Sequence, residues 1–320
     1  MPVVCRRLSV FEGECMSEFI RVATEVVDAV ATGKPVVALE STIFTHGLPR
    51  PRNIEVAMEA EELIRSKGAV PATIGVHRGH PVVGLSEEQI IELGNDDSVL
   101  KSGTRELAIG SVNKKNAGTT IAATSFLAAY AGIKVFATGG LGGVHHGAAT
   151  NFDESADLLA LTQNPVVMVS AGAKAVLDIH ATLERFETLS IPVVGYRTNA
   201  YPGFYNRESG YTVAHRIETP EDAASIYHAQ RAMKVTTALL VGNPVPEADE
   251  LDPALLDGVI EKAWAALEAE GIEGQGVTPF LLEFIRQQTG DASLDANVGL
   301  YRNNALLAAE VAAAIAAQEA

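Results

Sequence analysis

Apolar residues recur along the chain with two different periods. "KPVVALE" (34–40), "AVPATIGV" (69–76), "KVFATGG" (134–140), "PVVMVSAG" (165–172), "IPVVGYRT" (191–198) and "TTALLVGNPVP" (236–246) are short, nearly continuous apolar runs rich in valine. Runs of that length predict strands buried on both faces. Between them apolar residues fall three or four apart. "NIEVAMEAEELIRSKG" (53–68) carries Ile54, Ala57, Met58, Leu63 and Ile64 and stops at Gly68, a helical spacing with a C-terminal glycine. The same spacing predicts helices over 119–133, 155–163, 173–189 and 219–235, and a mostly helical end to the chain. Ser86 before Glu87, Glu88 and Gln89 marks another helix start. "MSEFIRVATEVVDAV" (16–30) is the first helical pattern.

Strands alternating with helices predict an α/β class, a single three-layer α/β/α domain. Short strands within 69–84 and 211–217 predict a mixed central sheet. No low-complexity linker or repeat divides the chain, so residues 16–320 are expected to form one catalytic domain. Residues 1–15 are expected to be a disordered leader or a mis-called start, with Met16 as the alternative first residue. In open α/β sheets ligands gather beyond the carboxyl ends of the strands. Glu40, Thr138, the glycines of 139–147, Lys174 and Asn199 all follow such ends.

Composition narrows the partners. There are 24 Lys and Arg against 40 Asp and Glu, a formal net charge of −16. So acidic a surface repels a phosphate backbone, which argues against a nucleic-acid polymer. Two cysteines, Cys5 and Cys15, give no disulfide framework and fit a reducing, cytoplasmic setting. No run of about 18 apolar residues predicts a membrane span.

The candidate chemistry centres on Lys174, which follows the small residues of "SAGA". A partly desolvated lysine keeps a usable free amine, which can form a Schiff base with a sugar aldehyde. The plain alternative is an exposed lysine in the first turn of the helix 173–189, or a phosphate contact. Glu40 at its strand end is a candidate acid or base, or a helix cap or ion-pair partner. His46 reads as structural. "ATGGLGGVHHG" (137–147) offers N–H groups to an anion but lacks the Walker lysine, and its GxGxxG spacing fails at position 145. His145 and His146 with Asp153 suit a hydrated Mn²⁺ or Mg²⁺ ion better than structural zinc. Asp153, Glu154 and Asp157 serve equally as acids at a helix start. Lys101 and Arg105 are candidate phosphate cations, with solvation the plainer role for Arg105. Asn297, Asn303 and Asn304 are polar groups in a helical region. Ser125 lacks the GxSxG elbow, so a serine hydrolase finds no support.

Several blocks together carry a resemblance: "PVVALESTIFTHGLPRPRN", "GAVPATIGV", "VGLSEEQIIELG", "AGTTIAATSFLAAYAGIKVFATGGLGGVHHGA", "FDESADL", "VSAGAKAVLD", "VGNPVPE", "TPFLLEFI" and "LYRNNALLAAEVA". From about residue 20 onward the chain resembles the pseudouridine-5'-phosphate glycosidases, a family that also holds the indigoidine-cluster A proteins. The resemblance implies reversible cleavage of the C–C glycosidic bond of pseudouridine 5'-phosphate to uracil and ribose 5-phosphate. It also implies an α/β/α homotrimer with a divalent ion, commonly Mn²⁺. By resemblance Lys174 is the nucleophile, Glu40 the proton donor and Asp153 the metal-site residue. Lys101, Ile121, Thr138, His145, Ser155, Ala156, Asp157 and Asn297 are the implied substrate contacts. The chain departs from the family pattern at "SGTREL", where members often read "SRRDL", and at Ile121, where they often have valine. Two other functions fit the residues: another lysine-imine lyase or aldolase on a sugar phosphate, or a catalytically silent pathway protein.

Overall fold

The computed structural model describes residues 19–272 and 276–320, apart from the side chain of Thr278. The expectations for residues 1–15 and for Met16 lie outside the described residues. Eleven described strands form one sheet: β1 (Arg21–Val22), β2 (Val36–Glu40), β3 (Val70–His77), β4 (His80–Val83), β5 (Leu100–Ser102), β6 (Ala117–Thr119), β7 (Val135–Ala137), β8 (Val167–Ser170), β9 (Val193–Tyr196), β10 (His215–Ile217) and β11 (Leu239–Gly242). Their order is β1-β4-β3-β2-β7-β8-β11-β9-β10, with β6 against β3 and β5 against β6. From β3 to β10 along this path every pairing is parallel, whereas β4 and β6 run antiparallel to β3. The sheet is therefore mixed, as the short strands within 69–84 predicted, whereas the strand within 211–217, β10, pairs parallel with β9.

Successive side chains of a strand face opposite sides, and here both sides are buried. Val37, Leu39, Val135, Ala137, Val167 and Val169 join one core with the helices Arg52–Ser66, Pro253–Glu270, Val277–Thr289 and Ala292–Glu319. Val36, Ala38, Phe136 and Met168 join the other, against Thr24–Ala31 and Ile121–Tyr130. Helices on both faces of a largely parallel sheet make the three layers. Among the described residues no helix is long and apolar enough to cross a membrane.

Three expected elements differ. The first described helix starts at Thr24, because Arg21–Val22 pairs with Val82–Val83 as a strand. The expected helix 119–133 begins at Ile121, its first residues being taken by β6. The expected helix 173–189 begins only at Ile179, capped by the Asp178 carboxylate, which accepts the Ala181 N–H at 2.9 Å. Residues 171–178 instead spend their backbone groups on the glycine loop. Ala171 N–H donates to the Gly139 carbonyl, Lys174 N–H to Leu141 and Asp178 N–H to Val144, all at 2.9–3.0 Å. Lys174 thus lies on a continuation of β8 beside a continuation of β7, not in the first turn of a helix.

Leu240 sits on β11, an inner strand of the sheet, 1% exposed. Leu240→Ala is expected to cost about 2–5 kcal/mol, the range for a buried leucine that leaves a cavity, read as a lowered urea midpoint with an unchanged slope.

Candidate active site

A reversed strand assembles the site. β2 ends at Glu40, and β6 then takes over the same edge of β3 in the opposite direction. The carboxyl ends of β2 and β6 therefore meet. Ser41 Oγ accepts the Thr119 N–H at 2.8 Å and pins the junction. β5, parallel to β6, brings Lys101 to the same place. Lys174 arrives from β8 and Thr138 from β7.

The largest concavity here holds about 620 Å³, with Glu40, Lys101, Ile121, His145, Asp157 and Lys174 in its wall. Asp153, Ser155 and Ala156 also line it. A smaller chamber of about 70 Å³ shares Glu40, Thr42, Lys101 and Lys174 with the cleft and adds Asn297, Gly139 and Gly140. Asn297 therefore lines the chamber and not the cleft. Thr138 lines neither space: it is 0% exposed and sits behind Glu40. Its hydroxyl donates to Glu40 Oε1, as that of Thr42 does to Oε2.

Glu40 is 7% exposed. Burial pushes its carboxyl above the usual range, against the Lys174 charge and the Thr138 and Thr42 hydroxyls, and the Asp157 charge adds to the rise. Lys101 is held below an ordinary ammonium by burial first and the Lys174 charge second, with Asp157 and Glu40 opposing. Burial also lowers His145 and His46, leaving both rings neutral near pH 7. Asp157, 6% exposed, is held by backbone. Its Oδ1 accepts the Ala122 N–H and its Oδ2 the Gly142 N–H, each at 3.0 Å. Ser155 caps the helix Ala156–Ala160 through the Asp157 N–H at 3.2 Å.

Arg105 lines the cleft mouth but is exposed and pairs with Glu106 at 2.6 Å. Among the described residues Lys101, Lys174 and Arg105 are the cations in the cleft wall. Glu154 pairs with Arg185 at 2.8 Å. His145 Nδ1 lies 3.2 Å from Asp153 Oδ2. Among the described residues no group of three or more His, Cys, Asp or Glu side chains gathers to hold a metal. That does not fit a closed protein cage such as structural zinc needs. One carboxylate beside a neutral imidazole fits a divalent ion that keeps most of its water.

A model of the indigoidine synthase A-like proteins matches residues 25–314. The chain belongs to the indigoidine synthase A-like family. It is 56% identical over 295 residues, 92% of this chain and 97% of the relative, to a protein of Saccharopolyspora erythraea named pseudouridine-5'-phosphate glycosidase. A protein of the same name from Streptomyces griseus is 51% identical, over 92% of this chain and 91% of its own. Among solved structures, the prealnumycin C-glycosynthase AlnA in complex with ribulose 5-phosphate superposes with a TM-score of 0.88 at 34% identity, over 95% of this chain and 99% of that one. An indigoidine synthase A-like protein from Thermotoga maritima gives 0.85 at 42%, over 93% and 97%.

Within this indigoidine synthase A-like fold, the sequence reading missed two groups that shape the site. Thr42 stands inside the quoted "ALEST" yet has no role until its hydroxyl is seen on Glu40. Gly142 was one glycine among many. A Cβ there would lie 2.3 Å from Ser155 Oγ and 2.5 Å from Asp157 Oδ2, so only glycine lets the loop reach that carboxylate. His46 holds a local role, with Nδ1 2.7 Å from Thr45 Oγ1, but also lines the small chamber. Asn304 is structural: its Nδ2 donates to the Thr138 carbonyl at 2.8 Å and its Oδ1 accepts from Asn243 at 2.9 Å. Asn303 Nδ2 donates to the Pro244 carbonyl at 3.1 Å.

Gly142→Ala is expected to lower kcat/KM at least about 10²-fold, because displacement of about 1 Å at a reacting site costs that much. Its melting temperature is expected to fall by only a few degrees. A variant with native kcat/KM would show that the Gly142–Asp157 contact is dispensable.

Proposed function

We propose that the protein is a pseudouridine-5'-phosphate glycosidase, splitting pseudouridine 5'-phosphate reversibly into uracil and ribose 5-phosphate in pseudouridine catabolism. The observation that carries the reading is the pairing of a half-buried amine, Lys174, with a buried carboxyl, Glu40, that burial pushes above the usual carboxylate range. The name of the 56% identical relative supports it.

A C–C glycosidic bond offers no leaving oxygen to protonate, so cleavage needs an electron sink at C1' and a proton for C5 of the base. The Lys174 amine bonds to C1' as the C1'–O4' bond breaks, and O4' takes the proton that the alkylated nitrogen sheds. The nitrogen lone pair then forms the C=N bond of an imine while the C1'–C5 bond breaks. Glu40 gives its proton to C5, the enamide carbon of the base, and the C1'–C5 electron pair restores the C5=C6 double bond of uracil. Water hydrolyses the imine, returning Lys174 and releasing ribose 5-phosphate. Thr42 and Thr138 fix the orientation of the Glu40 carboxyl. Asp157, tied to two backbone N–H groups, faces the sugar. Lys101 and the N–H groups of the glycine loop suit the phosphate, whose binding orients the sugar away from the reacting carbon. We place the sugar phosphate in the large cleft and the base in the small chamber. That chamber is floored by Gly139 and Gly140 and offers the Asn297 amide to the polar edge of a planar heterocycle.

Asp153, with His145 beside it, would hold one hydrated divalent ion, Mn²⁺ by resemblance. When bound, that ion supplies positive charge that orients the substrate. A homotrimer in the cytoplasm completes the reading on the strength of the family resemblance.

The test is chromatographic detection of uracil from pseudouridine 5'-phosphate. Release is expected with Mn²⁺, at least about tenfold slower after EDTA, and at least about 10³-fold slower in Lys174→Ala. No uracil release from the metal-loaded wild type would reject the function.

A further inference from the structure

The small chamber beside Lys174 does not end blindly. It shares His46, Gly47, Pro279, Leu282 and Asn297 with a third cavity of about 170 Å³. This outer cavity continues past Leu294 and Ser293 to Arg286 and Glu283, and Glu283 and Gly47 are exposed. Three neighbouring spaces share walls: the large cleft, the chamber at Lys174, and an outer cavity between the turn Ile43–Gly47 and the helix Val277–Thr289.

The walls of the two ends differ. The large cleft carries Lys101 and Lys174, which no acid pairs directly among the described residues and which suit a sugar phosphate, while its Arg105 is taken by Glu106 at 2.6 Å. The passage from the chamber outward is walled by Leu282, Leu294, Pro279, Leu48 and Pro49, with neutral His46 and the Asn297 amide. Among the described residues its wall holds one cation, Arg286, already held by Glu283 at 2.7 Å and by Asp291. Such a wall suits a small, flat, uncharged molecule and offers a phosphate dianion no free partner.

The reaction gives that asymmetry a use. Resting on the proposed function, C–C cleavage frees the base while the sugar phosphate is still bonded to Lys174. The covalently held sugar phosphate then still occupies the cleft side of Lys174. We infer that the passage lined by Leu294, Leu282 and His46 is a separate door for the pyrimidine base, by which uracil leaves before the imine is hydrolysed and enters in the synthetic direction. Sugar phosphate uses the large cleft alone. Leu294 lines the outer passage and not the chamber at Lys174, so plugging it separates the two routes.

The experiment compares wild type with Leu294→Trp in two assays. One is borohydride trapping of ribose 5-phosphate on the protein. The other is incorporation of labelled uracil into pseudouridine 5'-phosphate from ribose 5-phosphate. Leu294→Trp is expected to trap ribose 5-phosphate at the wild-type rate and to incorporate uracil at least about tenfold more slowly. Leu294→Ala is expected to incorporate uracil at no less than the wild-type rate. Equal uracil incorporation by wild type and a folded Leu294→Trp overturns the proposal, since the base must then pass through the cleft. If Leu294→Trp fails to fold, Glu283→Trp at the exposed mouth carries the same comparison, with the same result expected and the same result overturning it. A wild type that traps ribose 5-phosphate but never incorporates uracil rejects the functional reading instead, and the door loses its cargo with it.

Discussion

A carboxyl group taken out of water beside an amine is the constraint around which this site is built. Glu40 ends a strand buried on both faces, and its environment disfavours the charged form. That choice weakens the fold. With the folded-state pKa raised above the unfolded one, Glu40 costs nothing at acidic pH below both values. Its penalty appears as the pH climbs past the unfolded pKa and grows until the folded group ionises. A protein accepts such a penalty where a neutral acid is needed near pH 7. Thr42 and Thr138 limit the cost by donating to both carboxyl oxygens.

The surrounding structure follows from bringing other groups to that carboxyl. In an all-parallel sheet, β2 would have only the ends of its two neighbours close by. Reversing β6 sets a second strand end directly against Glu40 and delivers Lys101, Ile121 and the N–H that holds Asp157. On the other side β7 and β8 run on as an irregular pair, so that Lys174 is fixed by the Leu141 carbonyl before any helix begins. Gly172 permits this. Its φ is +84°, and a Cβ would meet the Pro202 carbonyl at 2.1 Å. The long C-terminal helix supports the back of the site through Asn304, which grips the Thr138 carbonyl.

Much of this was legible in the chain. The valine-rich runs at 36–39, 135–137, 167–169 and 239–241 declare buried strands, and the rule that ligands gather at their carboxyl ends singles out Glu40 and Lys174. The reversed strand was not legible. Ala117–Thr119 is three residues long and merges into the apolar helix that follows, so periodicity cannot separate them. The start of the helix after Lys174 was misplaced for a similar reason. "AKAVLDIHATLERF" has helical spacing throughout, and bonds from Lys174 and Asp178 to the glycine loop, with a turn between them, keep its first residues out of the helix. Thr138 was selected by position but acts from behind Glu40. Asn297 lines the small chamber and not the cleft, a distinction that spacing along the chain does not encode.

The most direct measurement is borohydride reduction of the metal-loaded protein during turnover of pseudouridine 5'-phosphate, followed by peptide mass spectrometry. The account predicts a reduced ribose 5-phosphate adduct on the peptide carrying Lys174. An adduct on another residue, or undiminished uracil release by Lys174→Ala with no adduct at all, would contradict it.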